Sequence, residues 1–113
     1  MGDRGNIVMV EKTGNKIYFY THWDGSDLPR ILRQALIRGK GRWDDEPYLA
    51  RIIFSEMIKD NILEETGYGI STYQPDYNHS DLEVHCSSQT VGWKNQNWSF
   101  DDYVQLTTPI PNY

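Results

Sequence analysis

The apolar and polar positions of the chain first alternate and then cluster. Ile7–Lys12 and Lys16–Thr21 are β-branched and aromatic runs separated by Thr13-Gly14-Asn15. Gly and Asn tolerate positive φ, so this spacing predicts a β-hairpin. A polar stretch, His22–Asp27, leads from the second strand into a helix. At 100° per residue, Leu28, Ile31, Leu32, Ala35 and Leu36 fall on one stripe, with Arg30, Arg33, Gln34 and Arg38 opposite and Ile37 among them. Ser26 or Asp27 can cap the start, Pro29 suits the first turn, and Gly39 ends the helix.

A second helix is predicted from Asp44, its N-cap, to about Lys59. Asp45 and Glu46 sit in the positive first turn, where Pro47 is also tolerated. Leu49, Ala50, Ile53, Phe54, Met57 and Ile58 span a wide apolar arc that Tyr48 and Ile52 extend. A helix apolar nearly all round is usually covered on two sides, which predicts a central place between the sheet and the first helix. Arg51 lies near the edge of that arc, with Ser55 and Lys59 on the narrow polar strip beyond it.

Thr66-Gly67-Tyr68-Gly69 reads as a turn or bulge permitting close backbone approach. Ile70–Tyr73 reads as a strand and Gln74–Asp81 as a polar loop. Leu82–Cys86 and Thr90–Trp93 alternate around Ser87-Ser88-Gln89, a second hairpin. Ser99 can cap a last helical turn, Phe100–Leu106, in which Phe100, Tyr103 and Val104 share a face. The order predicts an α+β fold: an antiparallel sheet of about five strands, N-terminal hairpin and C-terminal meander, with two central helices packed on one face. Residues 1–106 read as one domain and 107–113 as a flexible tail.

Composition narrows the chemistry. A 113-residue chain with 38% apolar and 13% aromatic residues has the material for one core. Sixteen acidic against eleven basic residues argue against broad nucleic-acid binding and suit a basic partner surface. The single cysteine, Cys86, cannot form an internal disulfide, so the cytoplasm is the expected compartment. No membrane span or signal peptide is expected, and Asn6 breaks the myristoylation pattern that Gly2 would open.

Candidate chemistry is thin. A calcium loop counted from Asp24 would need Gly at its sixth position and Glu at its twelfth, where Pro29 and Ala35 stand. His79, His85 and Cys86 lack zinc spacing, since neighbours on a strand point to opposite faces. Cys86 with His22 or His85 lacks the surroundings of a catalytic thiol. No catalytic residue, metal or cofactor is therefore expected. Two stretches stand out. In Thr21–Asp27, His22 offers proton exchange and Trp23 a stacking face beside a helix N-terminus that can hold an anion. In Arg30–Trp43, five cations (Arg30, Arg33, Arg38, Lys40 and Arg42) accompany an indole and no carboxylate.

Gly2-Asp3-Arg4-Gly5-Asn6-Ile7, Tyr20-Thr21-His22-Trp23 and Thr66-Gly67-Tyr68-Gly69-Ile70-Ser71 together resemble a family of small uncharacterised proteins of bacteria and their phages. The resemblance runs from Gly2 to about Val104 and brings no assigned activity. It implies an accessory protein that acts by binding. The expected function is a small acidic non-enzymatic binding protein, in its concrete version a phage protein that interferes with a host defence factor in the host cytoplasm. Its expected partner is a host protein or a small anionic ligand. His22, Trp23, Arg42, Trp43 and Tyr68 are the expected contacts, with Arg4 and Arg51 as anion clamps. The alternatives are a small hydrolase using His22 with a nearby carboxylate, and a homo-oligomer joined through Ile37 and Ile52.

Overall fold

The computed structural model describes residues 2–113. Its strands are β1 (Gly5–Val10), β2 (Lys16–Thr21), β3 (Tyr68–Ser71), β4 (Leu82–His85), β5 (Thr90–Trp93) and β6 (Gln96–Ser99). Its helices are α1 (Leu28–Arg38), α2 (Glu46–Ile58) and α3 (Phe100–Val104). The strands form one six-stranded sheet in the order β3-β2-β1-β4-β5-β6.

The sheet is mixed rather than antiparallel. β1 pairs with β4 in parallel, Ile7 opposite Leu82 and Met9 opposite Val84, while every other pair is antiparallel. Strand alternation records which face is buried but carries no direction, so the pattern could not reveal this pairing. The hairpin leaves one edge of β1 free, and β3 occupies the far edge of β2. β3 and β4 then run the same way, and the segment between them must travel back along the sheet. Residues 72–81 make that return without a helix. Asn78 exchanges two hydrogen bonds with Arg4, each at 2.8 Å.

β1 is central, which explains its near-continuous apolar sequence. Ile7 and Met9 face the helices, Asn6 and Val8 face the other way, and all four are buried. On the helix face, Leu28, Ile31, Leu32, Ala35 and Leu36 of α1 join Leu49, Ile52, Ile53 and Met57 of α2 in the same core as Leu82, Val84, Val91 and Phe100. β6 escapes the hydrophobic pattern because Trp98 is its one apolar residue. A two-residue turn with Lys94 at φ 53° pairs Trp93 with Gln96 and so creates it.

The helix ends differ from expectation in detail. Asp45, not Asp44, caps α2, its side chain accepting from Tyr48 N–H. Neither Ser26 nor Asp27 caps α1 through its side chain. A 3-10 turn at Gly25–Asp27 leads into that helix, and the Asp27 carboxylate accepts from Arg30 instead. The C-terminal segment also packs back on the fold. Ile110 is buried, and Tyr113 stacks on His79 with ring centroids 4.7 Å apart.

Candidate binding groove

Of the two stretches singled out in the sequence, Thr21–Asp27 leads into the N-terminus of α1, while Arg30–Trp43 runs along the helix and past its C-terminus. The eleven residues of α1 put His22 and Trp23 roughly 16 Å from Arg42 and Trp43 along the helix axis. At the N-terminal end His22 and Trp23 follow β2 directly. His22 N–H donates to Gly67 O (2.8 Å), and its carbonyl accepts from Asp3 N–H (2.8 Å). The His22 ring shares a 2.9 Å hydrogen bond between Nδ1 and the Tyr20 hydroxyl and meets the Trp23 indole edge-on at 4.4 Å. A hydrolytic His22 would lean on a carboxylate, and its partner here is a phenol.

Tyr68 belongs to the same end. Its hydroxyl donates to Asp24 Oδ2 at 2.8 Å, with Asn61 Oδ1 at 3.1 Å. Burial, reinforced by the Asp24 carboxylate that needs this proton, pushes the Tyr68 pKa up to about 12. Gly67 is required where it stands. Its φ is +95°, and a Cβ there would come within 2.6 Å of Trp23 Nε1. Arg4 is close by, its guanidinium 3.6 Å from Asp76.

Two of the five cations of the basic island are paired. Arg30 is paired with Asp27, and Arg38 with Glu56 while also donating to Ile52 O and Ser55 Oγ. Trp43 is half-buried against the core: its Nε1–H donates to Leu36 O at 3.0 Å and its ring meets Phe100 at 5.3 Å. Arg42 stacks over Tyr48 at 5.2 Å. Ile52 is buried beside Gly39, so the oligomer surface expected from Ile37 and Ile52 keeps only the exposed Ile37. Among the described residues no three His, Cys, Asp or Glu side chains gather as metal ligands. No helix among them is long and apolar enough to cross a membrane.

An open apolar groove lies where only Arg51 was expected. α2 packs on α1 through Leu49, Ile53 and Met57, and Phe54 touches Phe19 with centroids 5.4 Å apart. Beyond that contact the sheet stays uncovered. A groove of about 540 Å³ runs between α2 and the β2–β3 end of the sheet. Ile17, Phe19 and Ile70 form its floor, Ala50, Phe54 and Ile58 its wall, and Ile62 its end, with Arg51 and Ser55 on the rim. Ile70 is 60% exposed and Ile62 67%. The expectation that α2 is covered on both sides therefore fails on the β3 side.

The apolar arc of α2 was itself the signal for this groove. Its second side is apolar because it lines a surface, and sequence alone offered no reason to prefer that to burial. Sequence reasoning also passed over Ile62 and Leu63, two large apolar residues in an otherwise polar connection. The groove and fold together define a small α+β domain with an open apolar surface at one edge of its sheet. No protein-family model, no curated protein and no solved structure matches this chain.

Proposed function

We propose that the chain is a small acidic binding protein that acts by holding a partner rather than by chemistry. Its concrete version is a phage-encoded protein that occupies a host defence factor in the host cytoplasm. The observation that carries the binding reading is the groove between α2 and β3. Monomeric domains rarely leave contiguous apolar surface open unless it meets something, and here Ile62, Leu63 and Ile70 are all more than half exposed. A protein partner suits this surface better than a small anion, because the groove is lined by apolar side chains, with Arg51 and Ser55 only on its rim.

The test is retention of host protein from bacterial lysate at physiological salt, by the immobilised wild type and by an Ile62→Asp/Ile70→Asp variant. The expected result is a protein held by the wild type and lost from the variant. A wild type that retains nothing specific would refute the reading.

A further inference from the structure

We propose that the groove and the open edge of β3 accept an extended segment of a partner protein as a seventh strand. That segment carries an aliphatic or aromatic anchor with lysine or arginine beside it. The proposal rests on the binding reading above and deepens it.

The backbone supplies the first argument. His22 N–H donates to Gly67 O, which sets the hydrogen-bonded register of β2 and β3 as Tyr20 with Gly69 and Tyr18 with Ser71. The N–H and C=O groups of Tyr68 and Ile70 then face outward from the sheet. β3 has neither proline nor charge in Tyr68-Gly69-Ile70-Ser71, and its shortness, four residues, is its only edge protection. The opposite edge differs: α3 follows β6 directly, and its Tyr103 packs on Trp98 at 5.8 Å. Apart from Trp98, β6 is polar and exposed, so its edge offers no apolar anchor site beside it.

Shape supplies the second. A strand beside β3 would lie about 4.8 Å beyond it and send alternate side chains to the helix face, next to Ile70. The groove's 540 Å³ takes a few apolar side chains, whereas a helix about 10 Å across needs more room. Backbone pairing with Tyr68 and Ile70 alone would be short, so the anchor in the groove must supply most of the affinity.

Charge selects the occupant. The groove's own lining carries one charge, Arg51 on its rim, but Asp60, Glu64 and Glu65 flank Ile62 in the chain, Asp60 and Glu64 close enough to Tyr68 to help raise its hydroxyl pKa, and among the described residues no salt bridge reaches any of the three. Lys59, the neighbouring cation, is held by Glu56 at 2.9 Å. A basic residue next to the anchor would meet these carboxylates. A second copy of the chain is the poorer occupant, because each copy carries a net charge of −5 and repels the other.

The experiment uses the full chain and an array of fluorescein-labelled heptapeptides. Each has one central aliphatic or aromatic residue and flanks of lysine, threonine or glutamate. Fluorescence anisotropy should rank lysine-flanked peptides at least tenfold above glutamate-flanked ones, with the gap closing in high salt. N-methylation of one alternate set of peptide residues should abolish binding while the other set is tolerated. Ile70→Asp and Ile62→Asp, both at exposed positions, should weaken binding at least tenfold with unchanged circular dichroism.

Absence of binding across the array, indifference to flanking charge, or tolerance of both N-methylated sets would overturn the proposal. So would dimerisation of the free chain that Ile70→Asp abolishes, or saturation by a twelve-carbon fatty acid without response to peptides. A host protein retained equally by wild type and Ile70→Asp would leave the binding function standing and remove this groove. Peptide binding with nothing retained from lysate would do the reverse.

Discussion

Replacing Glu56 with glutamine probes how α1 and α2 are held together at their charged edge. Glu56 is the one buried carboxylate among the described residues, and it accepts from Arg38 Nε at 3.1 Å and from Lys59 Nζ at 2.9 Å. A hydrogen bond to a charged group contributes about 1.5–3 kcal/mol when fully desolvated. Here the cations are 48% and 59% exposed, and solvent reduces each pair toward the roughly 0.2–1 kcal/mol of surface ion pairs. Glutamine keeps the volume and one acceptor oxygen but turns an amide N–H₂ toward a cation. Arg38 stays anchored by Ile52 O at 2.8 Å and Ser55 Oγ at 2.7 Å, which bounds the loss. The expected destabilisation at pH 7 is about 1–2 kcal/mol.

The pH dependence sharpens this prediction. Burial alone would raise the Glu56 pKa, but the hydrogen bonds from Lys59 and Arg38 outweigh it and hold the carboxyl below its ordinary 4.5. A folded pKa below the unfolded one gives stability that is fully present above the unfolded value. That stability is lost as pH falls through the folded pKa. Urea unfolding followed by tryptophan fluorescence should therefore show a gap between wild type and Glu56→Gln that is full at pH 7 and narrows below pH 4.5. Equal stability at pH 7, or a gap that holds or widens in acid, would refute the reasoning.

Two further predictions concern single contacts. Gly67→Ala must place a side chain at φ +95° and within 2.6 Å of Trp23 Nε1; the indole can swing outward but the backbone strain remains, so thermal unfolding should register a loss of about 1–3 kcal/mol. Tyr103→Phe removes a fully buried hydroxyl that donates to Pro29 O at 2.8 Å and leaves the ring packing intact. It should lower stability by about 1–2 kcal/mol in urea, and an unchanged midpoint would show that this carbonyl does not need its partner.

The sequence by itself determined the local elements, because each rests on interactions between near neighbours. The Thr13–Asn15 turn makes the first hairpin, the stripe from Leu28 to Leu36 makes α1, and Ser99 caps α3 by accepting from Asp102 N–H at 3.0 Å. His22 and Trp23 are neighbours in the chain, but only the pairing of β3 with β2 brings Tyr68 to the same end of the fold.

Only the tertiary structure decided which elements became neighbours. The parallel pairing of β1 with β4 depends on where residues 72–81 carry the chain, and no periodicity records that path. Arg38 looked like a free cation because its carboxylate, Glu56, arrives from α2, and Trp43 is half-buried because Phe100 packs on its ring. The apolar arc of α2 is the clearest case. Its composition was legible from Leu49 to Ile58, but burial against α1 and exposure over β3 are written in the same residue types. What separates them is the width of sheet that the helices leave uncovered, a property of the assembled domain.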